Sequence, residues 1–119
     1  MKNNLRIYNT LTGKKDLFKP IKAKKVNLFV CGPTVFDYSH LGHAKLAITF
    51  DLLVKYLRSR GYDVFYIQNI TNIDDKIIAR AREKGVTPKD LASAFEKEWM
   101  QSMKALGVDS VSKYPRATE

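Results

Sequence analysis

The two histidines of the chain are the residues whose type and spacing best suit chemistry. His40 and His43 lie three residues apart, where an apolar run gives way to a helix-like segment. Side chains three apart in a helical turn share one face, so both imidazoles would point the same way. A helix N-terminus offers free N–H groups to phosphate, and Gly42 would let a ligand approach the backbone closely. The pattern predicts a nucleotide phosphate held between two imidazoles.

A histidine pair at this spacing can also lie on a surface or in a core without binding anything. The surrounding sequence favours a site, because Cys31, Gly32 and Pro33 form a tight turn just before the pair. Open α/β sheets bind their ligands at the carboxyl ends of strands, and such a turn follows a strand directly.

A βαβ unit is the framework expected to position the histidines. The segment 26–31 is apolar on both faces, which predicts a buried strand of a parallel sheet. The segment 64–70 is rich in β-branched and aromatic residues and predicts a second parallel strand. The helix between them, 41–60, has apolar residues spread too widely for a narrow stripe, so we expect it to be well buried.

The remaining chain predicts further elements of the same α/β fold. We expect a short strand at 5–8, a basic loop at 14–25, a helix capped by Asn72 and ending at Lys84, a helix from Thr87 to Leu106, and an irregular tail at 108–119. These elements make only part of a doubly wound sheet, in one domain spanning 1–119.

Composition narrows the cellular context and the class of partner. No apolar run approaches the roughly 20 residues that span a membrane. The one cysteine cannot form an internal disulfide, which indicates the cytoplasm. The 21 Lys and Arg against 12 Asp and Glu give a formal charge of +9, which favours a polyanionic partner. The cluster from Lys14 to Lys25 fits either a solvated loop or an RNA contact.

Six blocks of sequence carry a family resemblance: Leu5–Thr12, Val30–Tyr38, His40–His43, Arg60–Tyr62, Asn69–Ile78 and Pro115–Thr118. In this order and spacing they resemble the cysteinyl-tRNA synthetase family, over essentially all 119 residues. An isolated H-x-G-H pattern is weak evidence. The Cys-Gly-Pro-Thr block that begins nine residues before His40 is specific.

The resemblance implies the N-terminal half of a Rossmann-like (HUP-type) catalytic domain, a parallel sheet flanked by helices. It implies a cysteine–tRNA ligase, in which the carboxylate of L-cysteine attacks the α-phosphate of ATP and the resulting cysteinyl-adenylate is passed to tRNA(Cys). His40 and His43 match the catalytic signature of the family, and Gly42 and Lys45 complete its ATP-binding positions. ATP is expected to bind with Mg²⁺.

Cys31 matches a zinc ligand of the family, and Gly32 and Thr71 match positions beside the substrate cysteine. A substrate thiol binds Zn²⁺ as thiolate whereas a serine hydroxyl does so poorly, so metal softness would separate the two amino acids. A buried free thiol is the alternative role for Cys31.

Some features of the pattern differ or are absent. Lys45 stands where arginine is usual in the family, and lysine lacks the planar guanidinium that can hold a phosphate through two hydrogen bonds. Ser39 and Asn72 also differ from the residues that are common at their positions. Zinc takes about four ligands, and the chain offers one cysteine. The other zinc ligands, the K-M-S-K-S signature and the anticodon-binding domain would lie beyond residue 119. We therefore expect a truncated piece, a fragment or a shortened paralogue whose partner is the missing C-terminal portion.

Three other functions remain open at this point. A ligase that passes cysteinyl-adenylate to an amine would share this site. A small cytidylyltransferase-type enzyme also uses H-x-G-H, but nothing after Asp75 resembles its later phosphate motif. A non-catalytic module that binds RNA or ATP would fit the charge.

Overall fold

A computed structural model of the chain describes residues 4–119, so the first three residues of the predicted domain lie outside the described residues. The elements are β1 (Arg6–Asn9), β2 (Lys14–Leu17), β3 (Lys25–Val30), α1 (Leu41–Ser59), β4 (Asp63–Gln68), α2 (Asp75–Lys84) and α3 (Pro88–Ala105). Across this range, none of the helices has the length and apolar character to cross a membrane.

The segment predicted as a basic loop contains a strand, so that part of the prediction was wrong. β2 pairs antiparallel with β1, and Tyr8 lies opposite Lys15. The reversal between them is closed by the N–H of Gly13, which donates to the carbonyl of Asn9 at 2.8 Å, and Gly13 has a positive φ of 67°. Lysine has a weak preference for strands, but at an exposed edge its long side chain keeps the charge in water.

β3 and β4 form the predicted parallel pair, in register from Lys25 opposite Asp63 to Val30 opposite Gln68. The prediction that β3 is buried on both faces was wrong. Its inward residues pack against α1, while the other face carries Phe29, which is 60% exposed. The apolar run was real, but in residues 4–119 only one face of this strand pair is well covered.

The helix α1 is buried along one face only, contrary to the expectation of a well-buried helix. The buried residues are Ala47, Asp51, Val54 and Leu57, which recur at helical spacing. Its opposite side carries exposed apolar side chains: Leu41, Ile48, Leu52 and Tyr56. Composition shows which residues are apolar, but burial depends on which elements lie against the helix.

The tail beyond α3 is irregular, as predicted, yet it joins the sheet. It forms parallel bridges to β4 and its extension, at Ile67 with Lys113 and at Ile70 with Arg116. The carboxylate of Asp51 in α1 holds the start of the tail, because it accepts hydrogen bonds from the N–H groups of Asp109 at 3.1 Å and Ser110 at 2.9 Å. The sheet thus runs from β3 through β4 to the tail.

The helix α2 begins two residues later than predicted, because its N-cap is Asp74 rather than Asn72. The Asp74 carboxylate accepts the N–H of Lys76 at 2.8 Å. Asn72 instead donates to the hydroxyl of Thr118 at 2.8 Å. A carboxylate at the N-cap also interacts favourably with the helix dipole, which asparagine does only weakly. The other helix ends agree closely with the predicted ones.

Candidate functional site

The turn after β3 is locked to the end of β4. The N–H of Gly32 donates to Asn69 Oδ1 at 2.8 Å. A Cβ on Gly32 would lie 1.6 Å from the Asn69 carbonyl oxygen, so no other residue fits there. Thr71 donates its N–H to Pro33 O at 2.9 Å, and Val35 donates to Thr71 O at 3.1 Å. The predicted positions Gly32 and Thr71 therefore lie in neighbouring segments beyond the carboxyl ends of the two parallel strands.

His40 and His43 cap the N-terminus of α1 reciprocally. His40 is the N-cap, and its Nδ1 accepts the N–H of Gly42 at 3.1 Å. The N–H of His40 in turn donates to Nδ1 of His43 at 3.2 Å. The two ring centroids are 3.9 Å apart. The prediction that both imidazoles share one face of the first turn is confirmed.

This capping determines which nitrogen of each ring is the available donor. A ring nitrogen that accepts a hydrogen bond carries no proton, so the N–H of each ring is at Nε2. Burial, and then the neighbouring His40, lower the pKa of His43 below its ordinary value of 6.5. Within the described residues neither Nε2–H has a protein partner. The site therefore presents two N–H donors beside a helix N-terminus, an arrangement suited to an anion.

The position of the His40 ring requires glycine at position 42. A Cβ there would lie 2.9 Å from Cε1 and 3.0 Å from Nδ1 of His40. The imidazole of His40 thus occupies the space that a side chain at position 42 would need. That a ligand also approaches Gly42 closely stays a prediction.

Two aromatic residues of α3 support the site, and sequence reasoning missed both. Trp99 is buried and meets the ring of His43 edge to face at a centroid distance of 5.9 Å. Phe95 meets Tyr38 of the site turn in the same way at 5.1 Å. Their spacing four apart on a helix signals one face, but nothing in the sequence indicates that this face meets the histidines.

An ion pair connects α2 to the same turn. Arg80 Nη2 lies 2.9 Å from Asp37 Oδ2, and Arg80 Nη1 lies 3.1 Å from Glu83 Oε2. The other oxygen of Asp37 accepts the N–H of Tyr38 at 2.9 Å. The carboxylate of Asp37 therefore ties the turn to α2 three residues before the N-cap of α1.

The remaining predicted site residues are exposed. Cys31 is an exposed free thiol at the end of β3, so the alternative of a buried thiol was wrong. Lys45 is exposed on α1, one turn into the helix. Residues 4–119 contain no group of three or more His, Cys, Asp or Glu side chains placed to hold a metal ion. They therefore offer zinc one soft ligand and not a complete site.

A cavity of about 780 Å³ lies elsewhere, between α2, α3 and the tail. Its walls include Ile77, Ala92, Met100 and Arg116, and neither histidine lines it. The guanidinium of Arg116, which lines the cavity, is held by Glu96 at 2.7 Å and by Glu119 at 2.8 Å. This cavity is separate from the histidine pair.

Comparison with solved structures identifies the fold. The chain is similar to Mycobacterium tuberculosis methionyl-tRNA synthetase in complex with methionyl-adenylate, with a TM-score of 0.76 over 80% of this chain and 18% of that one at 22% identity. A second structure of that enzyme, bound by methionyl-adenylate, gives a TM-score of 0.73. That match covers 85% of this chain and 19% of the other at 23% sequence identity. The fold is therefore the Rossmann-like α/β fold of a class I synthetase catalytic domain, as predicted.

Sequence comparison then gives the family. The model of "tRNA synthetases class I (C) catalytic domain" matches residues 17–119. A cysteine–tRNA ligase of Thermococcus onnurineus is 51% identical over 115 residues, and one of Pyrococcus horikoshii is 54% identical over the same length. Each match covers 97% of this chain and 24% of the relative. The chain belongs to the class I (C) tRNA synthetase catalytic domain family and spans about a quarter of the length of these relatives.

Proposed function

We propose that this chain carries the ATP-activation site of a cysteine–tRNA ligase. The reaction joins L-cysteine and ATP into cysteinyl-adenylate with release of pyrophosphate, and then transfers cysteine to tRNA(Cys). The family and the names of its relatives support the reaction. The observation that carries the proposal is the reciprocal capping of His40 and His43, which leaves two Nε2–H donors for one phosphate chain.

The two imidazoles would act by binding charge that grows during the reaction. When the cysteine carboxylate attacks the α-phosphorus, the bond to the pyrophosphate oxygen breaks and negative charge develops on the phosphate oxygens. Donors already fixed in place stabilise that charge without reorganising. Nδ1 of each ring is held by a backbone N–H, so the rings cannot turn away freely. Lys45, exposed one turn further along α1, would add a point charge, and ATP would bring Mg²⁺.

The substrate cysteine would lie at the other side of the turn, near Cys31, Gly32 and Thr71. The exposed thiol of Cys31 fits the role of one zinc ligand, and the remaining ligands would come from outside residues 4–119. Zinc bound there would supply a soft Lewis acid for the substrate thiol. The rest of the synthetase would complete the enzyme. A single free cysteine also agrees with a cytoplasmic location.

The test is cysteine-dependent ATP–pyrophosphate exchange, with serine as the control amino acid. The chain is assayed alone and with the remaining C-terminal portion of a relative added. Exchange that requires cysteine in either case supports the proposal. Absence of exchange in both, from a folded chain, would exclude an activation site.

Two substitutions of His43 separate its capping role from its phosphate role. In His43→Asn the amide oxygen takes the place of Nδ1 and keeps the cap, but no donor remains at the Nε2 position. In His43→Gln the amide N–H reaches the Nε2 position. We expect exchange to fall in the Asn variant by about a hundredfold or more, the usual cost of one lost transition-state donor, and to recover partly in the Gln variant. Equal loss of cysteine binding in the Asn variant would contradict the phosphate role.

The zinc assignment has its own measurement. Cys31→Ser should lower the zinc content of the assembled synthetase and weaken its preference for cysteine over serine. A full zinc complement in that variant would exclude Cys31 as a ligand.

A further inference from the structure

Most of the net positive charge of this chain lies in its first 25 residues. Residues 1–25 hold eight Lys and Arg against one acidic residue, whereas residues 26–119 hold thirteen against eleven. Residues 1–25 therefore carry +7 of the formal charge of +9. We call the seven described cations there the basic surface: Arg6, Lys14, Lys15, Lys19, Lys22, Lys24 and Lys25.

The structure leaves this charge without local compensation. All ion pairs of residues 4–119 lie between positions 37 and 119, and none involves the basic surface. Its one carboxylate, Asp16, accepts hydrogen bonds from Thr12 and Asn9. Asp63 lies in register with Lys25, yet the two form no ion pair. Unpaired like charges held together repel one another, so a bound polyanion would relieve the repulsion.

Three of the lysines are concentrated in one tight turn. The N–H of Lys25 donates to the carbonyl of Lys22 at 3.1 Å, which closes a four-residue turn with Lys24 inside it. Lys24 has a positive φ of 59° and is the one non-glycine residue of the described range in that region. Glycine or asparagine adopts this conformation with less strain, so the lysine charge is kept there at a cost to stability.

An exposed aromatic ring lies between cations on the adjacent hairpin. Tyr8 faces Lys15 across the strands, and Arg6 faces Leu17 two residues away, so these side chains share one face. Tyr8 is 61% exposed and meets no other ring of the described residues. A free aromatic face flanked by cations is the combination that binds unpaired bases by stacking and the neighbouring phosphates by charge.

We infer that the basic surface and Tyr8 form an RNA-binding surface that is separate from the histidine site. The lysines hold backbone phosphates, and Tyr8 stacks on an unpaired base. The choice of RNA among polyanions rests on the proposed function, whereas the surface itself rests on charge and geometry. Binding is therefore strongly dependent on salt and weakly dependent on sequence.

The first test measures the affinity of the 119-residue chain for tRNA and for a 16-nucleotide oligouridine as salt is varied. The triple variant Lys15→Gln, Lys22→Gln, Lys24→Gln is compared with a charge-matched control on α3, Lys89→Gln, Lys97→Gln, Lys104→Gln. For oligouridine, three lost phosphate contacts lower the slope of log affinity against log salt by about 2, and the control leaves it unchanged. Equal losses in both variants would show general stickiness and overturn the inference.

The second test isolates stacking and strain. Tyr8→Ala weakens oligouridine binding by about tenfold with the salt slope unchanged, since stacking on one base contributes roughly 1–3 kcal/mol, and Tyr8→Phe restores it. Lys24→Gly weakens binding but melts no earlier than the parent chain, because glycine relieves the backbone strain. A Tyr8→Ala variant with parental affinity would refute the stacking role.

The RNA-binding inference and the proposed function are tested by different variants, so either can be refuted without the other. The His43→Asn variant loses exchange and keeps RNA affinity, while the variants of the basic surface and Tyr8 lose RNA affinity and keep exchange.

A membrane contact is tested separately. Leu11 and Ile21 are fully exposed beside the basic surface, so vesicles containing 30% phosphatidylserine are tested with the same variants. Binding to those vesicles without binding to RNA would make the surface a membrane contact and overturn the inference.

Discussion

Gly42→Ala tests whether the geometry of the histidine pair, rather than the stability of the helix, makes the site. The added Cβ would lie 2.9 Å from Cε1 of His40, which is closer than carbon atoms approach without repulsion. The imidazole must therefore move by several tenths of an ångström. In moving, it weakens the hydrogen bond from Gly42 that holds its Nδ1 at 3.1 Å.

The expected change in stability is small because two effects oppose each other. Loss of an N-cap hydrogen bond costs roughly 0.5–2 kcal/mol of unfolding free energy. Replacing glycine by alanine within a helix returns roughly 0.5–1 kcal/mol. Gly42→Ala should thus change the unfolding free energy by at most about 1.5 kcal/mol. Its affinity for ATP should fall by roughly 10- to 100-fold, since misplacing one hydrogen-bond donor to a charged group costs about 1.5–3 kcal/mol.

Two assays on the same sample separate these quantities. Urea unfolding gives the stability, and ATP binding is followed through the fluorescence of Trp99, the single tryptophan, whose ring lies 5.9 Å from that of His43. Gly85→Ala is the matched control, because Gly85 ends α2 with a positive φ of 67° and has no atom near the added Cβ. It should lose about 1 kcal/mol of stability and keep ATP affinity. Parental ATP affinity in Gly42→Ala would refute the role of the ring position.

Three further predictions follow from other contacts of the site. Asp51→Ala should lower the unfolding free energy by about 2–3 kcal/mol in urea titrations, because two backbone N–H groups of the tail lose a carboxylate acceptor; an unchanged midpoint would contradict this. Arg80→Ala should weaken ATP binding with little loss of stability, since its pair with Asp37 is partly exposed, whereas Arg82→Ala should leave ATP binding unchanged. Because the pKa of His43 lies below 6.5, the unfolded chain binds more protons as pH falls through that value. Stability should be full above pH 6.5 and decline below it, and His43→Asn should flatten that decline in pH-dependent melting.

The sequence predicted best those features that have a local cause. Gly85 and Gly107 end α2 and α3 at positive φ, which glycine adopts without strain, so both helix ends were predictable. The N-terminus of α3 was predictable too, because a threonine hydroxyl readily accepts a backbone N–H there, as Thr87 does from Asp90. Each of these inferences needs only a few neighbouring residues.

Features that depend on distant partners were missed or wrong. Nothing near Asp37 in the sequence indicates Arg80, and nothing near His43 indicates Trp99, because these pairs form only when α2 and α3 fold against the turn. The exposure of Phe29 likewise depends on what covers that face of the sheet. Local sequence indicates that a residue is apolar, but it does not indicate its neighbour.

The proposed ATP site and the proposed RNA-binding surface use different kinds of group, and this bears on how one chain would bind two polyanions. At the proposed ATP site, backbone N–H groups occupy Nδ1 of His40 and His43, so the imidazoles would meet phosphate as oriented donors at Nε2. Donors of this kind discriminate by position and lose little strength in salt. On the hairpin, unpaired lysines attract phosphate over a distance of about a Debye length, with little preference for position. Were the cations instead gathered at His40, RNA would compete with ATP for the same field. Under both proposals, cations placed away from the histidines would let the two polyanions bind at once.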